Sequence, residues 1–229
     1  LDQNTNPVSI ASSNYGGTRA EFFDGIIDEV RISKIARDAC WISTEYNNQS
    51  SPSTSYSIGG EQNLLNYSYR KQITILDSMT PASCTGNLSN FPVNISLSGN
   101  WLKTTAVDPV NGCIQNVSGY DIIFKAQDGV TKLDHEIEKY DGTAGTLVAW
   151  VRIPTLLYNA NTIIYMYYGN PKITSPTANP SGVWEANYKG VWHLSNNNFN
   201  DSTSNANHGT NNNTTDVGGK IANGRNFNE

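Results

Sequence analysis

Apolar and polar residues alternate with a period of two through much of the chain, and that pattern predicts strands. Val8-Ser9-Ile10-Ala11 reads as a short strand, followed by a turn-rich loop around Gly16 and Gly17. Ile26 to Ile32 alternates cleanly: Ile26, Asp28, Val30 and Ile32 share one face, while Ile27, Glu29 and Arg31 share the other. Asp28 is therefore an acid on an apolar face, either a structural acceptor or a metal ligand. Asp38 to Tyr46 reads as a short helix with Ala39, Ile42 and Tyr46 along one side. Further strands are predicted at Tyr56-Ser57-Ile58, Tyr69 to Ile75, Phe91 to Leu97 and Asp121 to Phe124, the last ending at the turn Asp128-Gly129. Leu133 to Tyr140 and Leu147 to Ile153 flank a Gly-containing loop and read as a β-hairpin. Thr162 to Tyr168 is apolar on both faces, which predicts a central strand buried on both sides. Gly190-Val191-Trp192-His193-Leu194 is a last strand before Asn-rich turns. Many short strands without strong helices predict an all-β chain, a β-sandwich or jelly roll.

Composition sharpens this. Of 229 residues, thirty are Asn and only 15% are charged, so the chain is polar through uncharged, turn-forming side chains. The net charge of −5 argues against nucleic acid as a partner. No apolar stretch approaches the roughly 20 residues of a membrane span. The first residue is Leu rather than Met, and the sequence reads as a piece of something longer. Three blocks follow: residues 1–60, a linker at 61–68, a block at 69–186, and a turn-rich block at 188–229. The last holds too few apolar residues to fold alone. Cys84 and Cys113 flank strand-like runs. A disulfide between them would close a loop of about 30 residues and contribute roughly 3 kcal/mol in the entropic model. Cys40 reads as a small buried apolar residue.

Phe23-Asp24-Gly25-Ile26-Ile27-Asp28-Glu29-Val30-Arg31-Ile32-Ser33, with Ala36-Arg37, Trp41-Ile42 and the tail Thr44 to Gly59, resembles the C-terminal end of a laminin-G-like, concanavalin-type jelly roll of bacterial surface proteins. Gly190 to Leu194 with Asp201 to Asn205 and His208-Gly209-Thr210 resembles the start of another copy. Between them, residues 69–186 resemble an uncharacterised bacterial and archaeal β-sandwich domain of large exported proteins, through Tyr69-Arg70-Lys71, Tyr120-Asp121-Ile122, Leu133 to Glu138, Val148 to Val151 and Ile164 to Pro171. The insert with Cys84 and Cys113 departs from that pattern. The resemblance implies a half domain, a whole domain and a half domain in order. First and last strands of such jelly rolls are commonly neighbours. Residues 188–194 are therefore expected to pair with the first block, within the chain or between copies. It also allows a calcium ion, held by Asp201 and Asn205 with Asp28 approaching them.

The most enzyme-like segment is Asp134-His135-Glu136-Ile137-Glu138, where alternation sets the three acids on one face and His135 on the other. Glu136 and Glu138 would stand roughly 6.5–7 Å apart, within glycosidase range. Both point the same way from one strand, though, and a solvated face with Lys and Arg neighbours is the simpler reading. The three histidines share no catalytic motif. No enzymatic activity is expected, and no catalytic residue is assigned. Asn-x-Ser/Thr at Asn66, Asn87, Asn94 and Asn116 is what an Asn-rich chain gives by chance.

Sugar binding is the better functional idea. Trp150 and Arg152 share a strand face, and Trp101, Tyr165, Tyr167 and Tyr168 are further stacking candidates, against the competing reading that they are core. The expectation is a non-catalytic segment of a multidomain extracellular surface protein, binding a glycan or surface polymer in adhesion. Its partners would be neighbouring domains of the same array or other copies of the chain. The alternatives are a ligand-free structural repeat, spacer or stalk element, and an accessory module of a polysaccharide-degrading enzyme.

Overall fold

The structure, a computed structural model, describes residues 8–15, 18–20 and 23–227. It is an all-β sandwich extended by a third layer. In chain order the first strands are β1 (Ser13–Tyr15), β2 (Thr18–Ala20), β3 (Gly25–Ile27) and β4 (Val30–Ser33). Helix α1 (Ala39–Ser50) leads to β5 (Tyr56–Asn63), β6 (Tyr69–Ile75) and β7 (Leu88–Ser98). Then come β8 (Ile123–Ala126), β9 (Lys132–Leu133), β10 (His135–Asp141), β11 (Thr146–Leu156) and β12 (Thr162–Tyr168). The short α2 (Pro180–Val183) precedes β13 (Tyr188–Trp192), β14 (Thr215–Gly218) and β15 (Asn223–Phe227).

Two sheets form the sandwich: β5-β6-β12-β8-β9 and β10-β11-β7. Their facing sides supply Ile73, Ile75, Phe124, Ile164 and Met166 from one sheet and Phe91, Val93, Ile95, Ala149 and Val151 from the other, all buried. Each large apolar side chain removed from water there contributes roughly 1.5–3 kcal/mol. The predicted hairpin is present as β10 and β11, with Gly145 at positive φ and Asp141 accepting the N–H groups of Thr143 and Ala144 in the loop. The spans predicted for Tyr69 to Ile75 and Thr162 to Tyr168 are β6 and β12 residue for residue. β12 is central, but buried fully on one face only. The doubly buried strand is β11, whose second face lies under the third layer. The expected strand at Val8–Ala11 is irregular backbone, and β1 begins at Ser13. β5 runs on to Asn63, so part of the expected linker is strand paired with β6.

The free edge of β7 is closed by side chains rather than by another strand. Asn48 accepts the Asn94 N–H at 2.7 Å and donates to the Asn94 carbonyl at 3.1 Å. The Tyr56 hydroxyl does the same two residues on, accepting the Ser96 N–H at 2.8 Å and donating to its carbonyl. Open ladder groups at an edge invite foreign strands, and these two side chains occupy them. Asn48 is placed by α1, whose N-cap is Asp38, the carboxylate of which accepts the Trp41 N–H at 2.7 Å. The helix buries Trp41, Thr44 and Asn48 and leaves Ile42 57% and Tyr46 70% exposed, opposite to the expected apolar side.

The same helix carries a disulfide. Cys40 bonds Cys84, with Cα atoms 5.2 Å apart, and Cys113 is a buried free thiol. The expected Cys84–Cys113 pair is thus corrected. Residues 39–50 form a helix that packs beside β7, which brings Cys40 to the loop before that strand. A separation of 44 residues makes the bridge worth about 4 kcal/mol in the entropic model.

The two ends of the chain meet. β13 pairs antiparallel with β4, with Val191 opposite Arg31, and β15 pairs with β3. The expected pairing of 188–194 with the first block is therefore found within one chain. The run Ile26 to Ile32 is not one strand. It breaks at Asp28-Glu29, so that β3 and β4 enter different sheets.

Candidate functional site

The third layer, made of the small sheets β13-β4 and β14-β15-β3 that the two chain ends form, sits on β10 and β11 through a buried node of charge. The hairpin contributes Glu136, Glu138 and Trp150. A bulge between Ile137 and Lys139 inserts Glu138 as an extra residue without a partner on β11, and Glu136 and Glu138 face the same side, as alternation sets them. The Trp150 indole N–H donates to Glu138 Oε2 at 2.8 Å, and the Trp184 indole N–H donates to Glu136 Oε2 at 2.8 Å. The Ser202 hydroxyl donates to Glu136 Oε1 at 2.6 Å.

The chain ends bring the cations. His193 follows β13, lies nearly parallel over Trp150 at 5.8 Å, and bridges two acids. Its Nδ1 is 2.7 Å from Glu29 Oε1, and its Nε2 is 3.1 Å from Glu136 Oε2. The Arg31 guanidinium lies 4.2 Å from the Trp150 ring centre and 4.7 Å from that of Trp184. It donates to Glu29 Oε2 at 2.8 Å and to Glu45 of α1. Glu29 reaches inward because it sits at the β3–β4 break with φ of +58°, a conformation that costs a non-glycine residue of order 1 kcal/mol and persists only where its surroundings hold it.

The proton affinities follow from this packing. Burial alone would keep Glu29 and Glu136 neutral, but His193 beside both, and Arg31 beside Glu29, outweigh it and hold the two carboxyls below their ordinary range. Burial likewise opposes the charge on His193, yet Glu29 and Glu136 raise its affinity for a proton well above normal. Glu138 goes the other way: burial first, then the Glu29 charge, push it up to about 8. Burial also lifts Asp28, to about 6. The node therefore carries an imidazolium and a guanidinium beside ionised Glu29 and Glu136, with Arg31 also paired to Glu45 and Glu138 holding a proton near neutrality.

The residues expected to bind sugar are placed otherwise. Trp150 is fully buried beneath Arg31 and His193, because its sheet face is covered by the third layer. Arg152 shares that face but is engaged by Asp134 and Asn90. Trp101 leans on Tyr168 at 5.1 Å and carries the Lys71 ammonium over its ring. Tyr167 is buried under Lys125, and half-buried Tyr165 is covered by Arg70 at 4.6 Å. Tyr168 is core.

The expected calcium ligands, Asp28, Asp201 and Asn205, are each engaged in hydrogen bonds within the chain. Both Asp201 oxygens face donors: the N–H groups of Val191, Thr203 and Asn207 and the Thr203 hydroxyl. A carboxylate ringed by N–H dipoles is set against a cation. Asn205 spends its amide on the carbonyls of Tyr188 and Lys189, and Asp28 accepts the Ile221 N–H at 2.8 Å. Asp201 and Asn205 stitch a turn to β13, and Asp28 ties the β3–β4 break to the turn before β15.

His135 points into the sandwich against Phe124, as alternation predicts, and burial holds it neutral, with its pKa lowered to about 4. Glu136 and Glu138 share a face as expected, but that face is buried rather than solvated. Glu29, Arg31 and His193 were not singled out as site residues. The signal was present as two charges on alternate positions of an otherwise apolar run, which inverts once that run packs with its charged face inward.

Residues 118–211 match a family model described as a domain of unknown function, DUF2341. No curated protein and no solved structure matches the chain. The matched stretch holds Glu136, Glu138, Trp150, Trp184 and His193, whereas Glu29, Arg31 and Glu45 precede it. The node thus joins the matched stretch to what comes before it. Among the described residues, no helix is long and apolar enough to cross a membrane.

Proposed function

We propose that this chain is a non-catalytic structural segment of a multidomain extracellular protein, a rigid joint between successive β-modules. One observation carries the reading: the aromatic rings that would stack on sugars are buried or already covered by Arg and Lys side chains, and Trp150 lies under Arg31 and His193, where the two chain ends meet the central sandwich. The resemblance of the two ends to laminin-G-like strands supports it, as does the Cys40–Cys84 disulfide, a bond that persists in oxidising surroundings. Adhesion to a glycan is the second reading. It is favoured by half-buried Tyr165, which with Arg70 and Gln72 lies on the outer side of the five-stranded sheet.

A glycan-array screen of the folded chain, with and without calcium, separates the two. The joint reading expects no saturable binding in either condition. Binding that Tyr165→Ala removes, with circular dichroism unchanged, would replace it by the adhesive one.

A further inference from the structure

We propose that Glu29, Glu138 and His193 form a binding site for one divalent transition-metal ion of the zinc class. The three side chains each offer one ligand atom, and these atoms lie within 4.8 Å of one another. His193 Nδ1 stands 2.7 Å from Glu29 Oε1 and 3.6 Å from Glu138 Oε2. Bonds of about 2.0–2.2 Å in a tetrahedral shell put ligand atoms about 3.3–3.5 Å apart, so the two spacings straddle what an ion requires. Small side-chain rotations bring all three into range.

A second observation points to a ligand. The Glu138 side chain is 2% exposed, and its Oε1 is buried with no hydrogen-bond donor among the described residues. A buried carboxyl oxygen left in that state is costly, and a turn of the Glu138 carboxyl that brings Oε1 towards His193 would let an ion satisfy it.

The surroundings match what metal-binding side chains need around them. A ligating histidine commonly gives its other ring N–H to a carboxylate, which fixes its tautomer and orientation. Glu136 takes that role at His193 Nε2, and is itself held by Trp184 and Ser202. Trp150 holds Glu138 through Oε2, and Arg31 holds Glu29 through Oε2. Each ligand is thus oriented by a separate partner.

Charge agrees as well. With an ion bound, His193 would give up the proton of its imidazolium and Glu138 its own, and the two charges of a divalent ion would replace those two protons beside Glu29 and Glu136. One nitrogen and two carboxylates suit zinc, cobalt or nickel, whereas calcium takes six to eight oxygens. A cleft of about 560 Å³ lined in part by Glu29, Arg31, Glu45 and Lys220 opens to solvent beside Glu29. The ion would clamp the β3–β4 break, the β10 bulge and the segment after β13, three stretches far apart in sequence. The inference stands apart from the proposed function, since a joint needs no ion.

The test uses the whole chain, stripped with a chelator and titrated with Zn²⁺ and Co²⁺ by calorimetry and visible absorption. Expected are one Zn²⁺ per chain, Co²⁺ bands that Zn²⁺ displaces, a thermal midpoint raised by Zn²⁺ and not by Ca²⁺, and at least a tenfold weaker affinity in Glu138→Gln. That variant keeps an acceptor for Trp150. No saturable uptake below about 1 mM, or equal affinity in Glu138→Gln, overturns the site. X-ray absorption on the Zn²⁺ complex of the unaltered chain needs no variant: one imidazole nitrogen among oxygens supports the assignment, while a sulfur-containing or all-oxygen shell overturns it.

Discussion

The sandwich core and the charged node lie on opposite faces of the same three-stranded sheet, and they are built from opposite materials. On the inner face, Val93, Ile95, Ala149 and Val151 meet Ile73, Ile164 and Met166, and the stabilisation is non-directional burial of apolar area. On the outer face, Glu136, Glu138 and Trp150 meet Glu29, Arg31 and His193, and every contact is directional. A buried ionic cluster is weak as a source of stability, because desolvation consumes much of the attraction. Its strength is selectivity: only one placement of the chain ends satisfies all of its members. The core makes the sandwich stable, and the node decides what docks on it.

Truncation on the two faces tests that division most strongly. Phe91→Ala in the core and His193→Ala in the node should each cost about 3–5 kcal/mol, one through a cavity and the other through buried acids left without a partner. Denaturant unfolding reads the totals, and hydrogen exchange reads the difference. Phe91→Ala should lower protection across both sheets together. His193→Ala should release the β4 and β13 amides first and leave β6 and β12 protected. Equal loss everywhere in both variants would mean that node and core are one unit.

Next in size is the disulfide. Cys40→Ser with Cys84→Ser should lower stability by about 4 kcal/mol on the loop-entropy argument, read from the denaturation midpoint without reductant. The loss should extend to the β7 edge, where Asn48 depends on the placement of α1.

The smallest effect is the most specific. Glu138 binds its proton up to about pH 8 when folded but only to about 4.5 when unfolded, and His193 is shifted upward from 6.5. Both folded values lie above the unfolded ones. The folded chain therefore keeps protons that the unfolded chain has released, and stability must fall as pH rises from about 5 through 8. Glu29 and Glu136 shift downward, so stability is also lost as pH drops below about 4.5. Thermal melts in chelator should peak near pH 5, and Glu138→Gln should flatten the alkaline slope. A wild-type profile flat from pH 5 to 8 would contradict the protonation assigned to Glu138.

Much of the sandwich was legible because its strands are governed by local rules. β6 and β12 carry their period in their own residues, and the β10–β11 hairpin announces its turn through Asp141 and Gly145. The candidate site was not, and two elements show why. In α1 the apolar residues Ile42 and Tyr46 face outward while Thr44 and Asn48 face in, because Asn48 is needed at the open edge of β7. At β3–β4 the reversal is sharper: Ile26 and Ile32 are exposed, and Glu29 and Arg31 are buried. Period-two reading assigns the apolar face inward, and that rule fails where the neighbouring layer is itself charged.

The sequence by itself determined the all-β class, most strand positions and the hairpin, since each follows from backbone period or turn chemistry, while the segment resemblance pointed to pairing of the two ends without deciding whether it runs within the chain or between copies. Tertiary structure alone decided which face of β4 and α1 turned inward, which cysteine met Cys84, and that Trp150 became a buried platform rather than an exposed one. Those outcomes depend on what lies opposite in space, and residues as distant along the chain as Glu29 and His193 have no local signal of meeting until the layers close on each other.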